Sequence, residues 1–378
     1  MLDVMRMLAE DIGPRFAGTE SEHRAARALL EVFASRGVTA RLQKFGFIGW
    51  RLLSAPTVRV VSTTSRNCSA APIIYSASTG PAGVSGEVVY HGRKSLIAGL
   101  YEMDTYSVVD SEGNYVAQLI VEPGGPAIPL LNPDPIFRLP LVVIGGDDHR
   151  FLQEALRSSE KLTAEVRIET ELLPDAVGYN VIAEYRGDAS TRDWVIVDAH
   201  YDTQLGTPGA YDNASGTAGL VGVLDRLLEL RLPINADIVA VSGEEIGMHG
   251  STYLARDLRE RGKLESLKAC ICLDQISAGD TMWIWATDGP FRETAVAAAE
   301  SAGLAHLGAI RVDGPMPGCD MWPFHLEGIP SCLYMWWRLP DYHKATDTMD
   351  KLEEPKLAGA VQATVNLLTT FAQRRSSS

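Results

Sequence analysis

The stretch Trp194-Val195-Ile196-Val197-Asp198-Ala199-His200-Tyr201-Asp202 decides the fold, together with the helix pattern over 214–230 behind it. Residues 194–198 are an apolar run of strand length. Residues 214–230 place Leu220, Leu224, Leu227 and Leu228 on one helical stripe. A buried strand followed by an amphipathic helix is the unit of a parallel sheet. The alternation continues with strands over 238–242, 269–273 and 331–337, and with helices over 248–261, 291–302 and 357–372. A further strand over 180–185 precedes it. The pattern predicts an α/β, three-layer sandwich: a mostly parallel mixed sheet covered by helices on both faces. In such sheets, ligands bind at the carboxyl ends of the strands.

Outward from this core, Thr19-Glu20-Ser21-Glu22 reads as a capping box. It is followed by Ala25, Ala26, Leu29, Leu30 and Phe33 at helical spacing, and Gly37 is a natural stop. The texture differs over 52–173, where short β-rich runs (58–61, 87–90, 141–144, 161–169) are broken by Pro and Gly and a helix fits 147–156. Residues 122–140 hold six prolines and read as an irregular loop. The chain thus divides into a catalytic domain (1–50 and 176–378) and an inserted, mostly-β accessory domain (51–175). The tail 376–378 reads as frayed.

Composition narrows the function. The 378 residues carry 34 Lys plus Arg against 48 Asp plus Glu, a net charge of −14, which argues against a nucleic-acid binder. Apolar residues make up 46%, enough for an ordinary core. No run approaches the roughly 18 apolar residues of a spanning helix. The start Met1-Leu2-Asp3-Val4-Met5-Arg6-Met7 has no signal-peptide h-region, so a cytoplasmic location and no membrane partner are expected. Five cysteines in so long a chain do not suggest a disulfide framework, and Cys270 and Cys272 read as buried thiols on one strand face.

The chemistry-bearing residues cluster after successive strands. His200 and Asp202 follow the first; His is a zinc ligand, and an acid two positions on can orient it. Asp212-Asn213-Ala214-Ser215-Gly216 opens the next helix: Asn213 can cap it while Asp212 points into a site. Gly243-Glu244-Glu245 follows the 238–242 strand. Adjacent carboxylates repel unless a cation is near, so one suits metal binding and the other proton transfer. Asp274 ends the apolar run 270–273 and needs a partner there. His343 follows the last strand, with Asp347 four residues on as a candidate to hold its imidazole. Mixed N and O donors at consecutive strand ends suit two Zn2+ ions per chain, with Mn2+ or Co2+ as substitutes.

These motifs resemble the family of co-catalytic zinc aminopeptidases, which also contains glutamate carboxypeptidases, glutaminyl cyclases and the non-catalytic transferrin receptor. Gly13-Pro14-Arg15 with Gly18-Thr19-Glu20 resembles the family's amino-terminal segment, and Asp320, Pro323-Phe324 and Gly328-Ile329-Pro330 also fit. The resemblance implies that His200 and Asp274 hold one zinc, Glu245 and His343 the other, and that Asp212 bridges them. It makes Glu244 the general base and Asp202 the residue that steadies His200. It likens the insert to a protease-associated or apical domain. One departure is Met321, where relatives often carry His or Tyr; Met cannot donate, which shifts oxyanion stabilisation toward the metals or Tyr342.

The implied activity is removal of the N-terminal residue of peptides. The rivals are a glutaminyl cyclase or other acyl-amino hydrolase on the same scaffold, which would differ in metal count, and a non-catalytic binding module, which should lack ligands. Met321, Tyr342 and Trp336 are candidate substrate contacts, with Gln204 and Tyr211 beside them. A peptide substrate is the expected partner, and a homo-oligomer is possible in principle. The remaining histidines, such as His23 and His149, read as surface or structural.

Overall fold

The computed structural model describes residues 1–96, 101–122, 125–131, 138–158, 161–188, 190–337 and 339–376. Parts of the expected 122–140 loop (123–124 and 132–137) and of the expected frayed tail (377–378) lie outside the described residues. The chain divides into two compact units, Met1–Phe47 with Val177–Ser378, and Ile48–Ala176.

The first unit is built on a mixed sheet. Its strand order is Ala309–Asp313, Thr281–Ala286, Ser331–Trp337, Leu267–Leu273, Trp194–His200, Asn235–Val241 and the C-terminal half of Thr163–Arg186. The four strands from Ser331–Trp337 to Asn235–Val241 are mutually parallel, in the registers Ile271↔Cys332, Val197↔Ile271 and Val197↔Ile238. Antiparallel partners flank them: Thr281–Ala286 on one side and Tyr185↔Ala236 on the other. The strands Thr281–Ala286 and Ala309–Asp313 were not anticipated from the sequence.

Strand alternation sends Val195, Val197 and Ala199 to one face, where they pack with Leu220, Leu224 and Leu227 of the helix Ser215–Leu230 and with Leu29 and Phe33 of Glu20–Ala34. Ile196 faces the other way, toward Leu254 and Leu258 of His249–Glu260 and Phe324 of Met321–Leu326. Helices therefore cover both faces, as the apolar runs require. The connections leave the Trp194–His200 strand toward one face and arrive at Leu267–Leu273 from the other, which opens a crevice at the carboxyl ends of these strands.

The capping box forms only in part. Thr19 Oγ1 accepts the Glu22 N–H at 3.3 Å. The Glu22 carboxylate is fully buried and accepts the Tyr201 hydroxyl proton instead of reaching back to the helix start. All five cysteines are free thiols. No helix among the described residues is long and apolar enough to cross a membrane.

The second unit is a sheet in the order Val84–Leu96, Tyr101–Val109, Tyr115–Glu122, Leu141–Gly145 and Ala70–Ile74, with the helix Gly146–Arg157 against it. Its core gathers Val58, Val88, Val108, Leu119, Val142, Leu152 and Val166. The strands Tyr101–Val109 and Tyr115–Glu122 were not read from the sequence; Tyr106 and Val108 are nonetheless fully buried in the centre of this sheet.

Candidate active site

Four strands of the central sheet end at one place, and each delivers a polar side chain there. His200 closes Trp194–His200, and its carbonyl accepts the Thr217 hydroxyl at 2.8 Å. Asp212 lies just before the helix Ser215–Leu230, next to a cis Asp212–Asn213 peptide. Asn213 fastens this junction: its Nδ2 donates to Leu273 O at 2.9 Å, and its Oδ1 accepts from the Gly216 N–H at 2.8 Å and the Gln275 N–H at 3.1 Å. Glu244 and Glu245 follow Asn235–Val241, Asp274 follows Leu267–Leu273, and His343 lies beyond Ser331–Trp337 with a left-handed φ of 59°.

The side chains form two groups that share Asp212. His200 Nε2 lies 3.2 Å from Asp212 Oδ1 and 3.4 Å from Asp274 Oδ1. His343 Nε2 lies 3.3 Å from Asp212 Oδ2 and 3.2 Å from Glu245 Oε2. The five donor-bearing residues are buried except His343, whose side chain is 15% exposed. Glu245 Oε1 is buried with no hydrogen-bond donor, and Asp212 Oδ1 and Asp274 Oδ1, also buried, face the His200 ring nitrogen without forming a well-aligned hydrogen bond to it. Such atoms are rare unless a cation or an ordered donor faces them.

The electrostatics point the same way. Burial disfavours the charged form of both imidazoles, yet Asp274, Asp202 and Asp212 hold His200 well above the ordinary histidine range, and Glu245 and Asp212 hold His343 at about 10. Burial likewise raises Glu244, Glu245 and Asp274. The field of this crevice is strongly negative and favours cations.

Around this core, Asp202 accepts the Glu244 and Glu245 N–H groups, one on each oxygen at 3.3 Å, so it fixes the turn that carries both glutamates. The atom of Asp202 nearest His200 Nδ1 is its backbone carbonyl, at 3.2 Å, with the carboxylate at 3.7 Å. Gln204 Nε2 sits 3.5 Å from Glu245 Oε2, and Tyr211 is buried with its hydroxyl bonded to Trp336 O. The Glu244 carboxylate lies 4.0 Å from His200 Nε2 and stays 13% exposed.

Three expectations are corrected. Asp347 does not hold the His343 imidazole; its oxygens accept the Tyr211 and Asp212 N–H groups at 2.8 and 3.0 Å, because its loop folds back beneath the Asp212 junction. Met321 is fully buried in the helix-covered core rather than in the crevice. Trp336 is also fully buried, with the Lys356 ammonium 5.1 Å over its ring; strand alternation turns its neighbour Trp337 the other way. Trp337 is half-buried, stacks on Trp283 at 5.2 Å and meets Tyr342 edge-on at 5.4 Å. Tyr342 in turn stacks on His343 at 3.7 Å. Gln275, whose Nε2 lies 3.3 Å from Asp212 Oδ2, was missed; its position directly after Asp274 was the available signal.

The model of peptidase family M28 matches residues 180–368, half of the chain, and spans every one of these donors. The chain belongs to peptidase family M28. Among curated relatives of this M28 chain, the aminopeptidase YwaD of Bacillus subtilis is 24% identical over 93% of this chain and 80% of its own. The aminopeptidase from Aneurinibacillus sp. strain AM-1 superposes with a TM-score of 0.74 at 25% identity, covering 98% of this chain and 92% of that one. BSAP, a zinc aminopeptidase from Bacillus subtilis, gives the same TM-score at 19% identity, with 98% and 93% covered, and so shares the fold.

Proposed function

We propose that the chain is a zinc-dependent aminopeptidase that releases the N-terminal residue of peptides, with two zinc ions in its crevice and Glu244 as the general base. The observation that carries this reading is the sharing of Asp212 between two buried donor groups, one on each of its oxygens. His200, Asp274 and Asp212 would hold one ion, and Glu245, His343 and Asp212 the other. The donor set of imidazole nitrogens and carboxylate oxygens suits zinc, with manganese or cobalt as substitutes, and the buried oxygens of Asp212, Glu245 and Asp274, none of which makes a hydrogen bond, support the fit. Bound zinc would supply Lewis acidity, lowering the pKa of a water and polarising the scissile carbonyl.

This chain's own residues do the rest. Glu244 is a partly exposed carboxylate at the crevice outside both donor groups, and unlike those of Asp202 and Asp347 its oxygens are not taken up by backbone N–H groups, so it is free to take the proton of the attacking water and return it to the leaving amine. Asp202 keeps it there through the backbone of 244–245. The surplus of carboxylates draws the substrate's terminal ammonium, which favours an exopeptidase acting on free N-termini. Tyr342, half-buried beside His343, is a candidate donor to a reacting carbonyl, and Trp337 offers an apolar wall next to it. Residues 48–176 would be an accessory unit inserted into the catalytic one. The relatives named as aminopeptidases support this reading over a cyclase.

The test is Glu244→Gln assayed on amino-acid amides and on peptides with free or acetylated N-termini. The variant should bind zinc like the wild type and lose turnover, and the wild type should leave acetylated peptides intact. Wild-type turnover by Glu244→Gln, or equal cleavage of blocked and free peptides, contradicts the assignment.

A further inference from the structure

Arg15 lies in the loop between the Met7–Ile12 turn and the helix Glu20–Ala34, and it has no exposed surface. Its guanidinium makes five hydrogen bonds, all to backbone carbonyls. Nε donates to Tyr201 O at 2.7 Å. The two N–H groups of Nη1 serve three carbonyls, one of them shared: Leu8 O at 2.9 Å, Gly13 O at 3.1 Å and Pro208 O at 2.7 Å. Nη2 donates to Gly209 O at 3.1 Å. The backbone of Arg15 adds two more links, its N–H to Thr203 Oγ1 at 2.9 Å and its carbonyl to the Thr203 N–H at 3.3 Å.

The acceptors are not scattered. Tyr201 stands between His200 and Asp202, while Pro208 and Gly209 stand just ahead of Asp212. One planar group therefore fastens both ends of the 201–209 loop, with His200 directly before it and Asp212 three residues after it. The contact is tight: a Cβ on Gly209, whose φ is +63°, would meet Thr203 Cγ2 at 2.3 Å and Arg15 Nη2 at 3.2 Å. A rigid fork of five donors can do this, and an ammonium with three donors on a flexible stem cannot.

The charge is also out of the ordinary. No carboxylate among the described residues makes an ion pair with Arg15, and a buried cation without a partner is expensive. The acids whose charges favour it through space are Asp202, Asp347, Asp212 and Glu245, all residues of the crevice. Arg15 is thus electrically part of the site while touching none of its donor atoms.

We propose that Arg15 is a positioning residue of the metal centre: by clamping both ends of the 201–209 loop, it holds His200 in place relative to Asp212, the donor with which it would share an ion. The proposal rests on the reading that the crevice binds two zinc ions. It is tested by zinc affinity, measured by competition with a chelating dye, on the full chain. Arg15→Lys keeps the charge and breaks the fork; its zinc Kd should rise tenfold or more, the size of effect typical when groups that orient metal ligands are lost. Its kcat should fall, with KM little changed. Thr203→Ala removes only the acceptor of the Arg15 N–H and should raise the Kd by about two- to fivefold, the worth of one hydrogen bond; this variant carries the test if Arg15→Lys does not fold.

A merely structural role would lower Tm in both variants and leave the Kd at the wild-type value. That result overturns the proposal. A wild-type chain that binds no zinc overturns the underlying reading of the site instead, so the two failures are distinct.

Discussion

Asp347 offers a perturbation whose size follows from the geometry. Its two carboxylate oxygens accept the Tyr211 and Asp212 N–H groups at 2.8 and 3.0 Å, and all three residues are buried. Asp347→Ala strands both donors away from water. Each stranded donor costs about 1–3 kcal/mol, so the variant should lose about 2–6 kcal/mol of stability. Asp347→Asn keeps one acceptor oxygen and turns an amide toward the other N–H, so its loss should be about half as large. Urea unfolding of chelator-treated protein, followed by circular dichroism, reads the midpoint shift at unchanged slope. Because these bonds also hold the Asp212 backbone, zinc affinity should fall roughly 10–100-fold in Asp347→Ala. An Asp347→Ala variant within about 0.5 kcal/mol of the wild type, binding zinc equally well, refutes the role assigned to this carboxylate.

Other perturbations act on different parts of the molecule. Burial pushes the Glu22 carboxyl up to about 7 from an ordinary 4.5, so the folded chain keeps a proton that the unfolded chain releases. The stability tied to this group is present below about pH 4.5 and is lost as pH rises toward 7, on the order of 3 kcal/mol; Glu22→Gln should show a flatter stability profile across that window, and an identical profile contradicts the assignment. Gly216→Ala would place its Cβ 2.2 Å from the Leu273 carbonyl, which is backbone and cannot swing aside. It should lower stability by about 1–3 kcal/mol despite alanine's better helix propensity, and a raised Tm would show that the approach is looser than described. Trp336→Ala should cost about 3–5 kcal/mol as a core deletion. Trp337→Ala should cost less and instead raise KM for substrates with large apolar N-terminal residues; the reverse pattern would exchange the two assignments.

Much of the catalytic unit was legible because its strands are buried on both faces. Continuous apolar runs such as 194–198 and 269–273, alternating with helical stripes, leave little choice but a covered, largely parallel sheet. The donor set was legible for a related reason: charged side chains directly after such runs must sit where the sheet opens to solvent. The strand Thr281–Ala286 was harder to read, since Met282, Trp283, Ile284 and Trp285 form an apolar run too short to tell from a helix fragment by periodicity. Trp336 and Trp337 are adjacent, and only the register Met282↔Trp336 shows which of them faces the core. Asp347 escaped because spacing alone suggested a partner four residues away, whereas the loop brings it to the backbone of Tyr211 and Asp212, 135 residues upstream of Asp347 in the case of Asp212. Arg15 was visible as part of the Gly13-Pro14-Arg15 segment, but its contacts were not: hydrogen bonds to carbonyls 186 to 194 residues distant leave no trace in local pattern.

The most direct measurement is anomalous scattering at the zinc absorption edge from crystals of the zinc-loaded chain. Two peaks about 3.5–4 Å apart, with Asp212 between them, are predicted: His200 and Asp274 on one, Glu245 and His343 on the other. A single peak, or peaks away from Asp212, would contradict a shared two-ion centre.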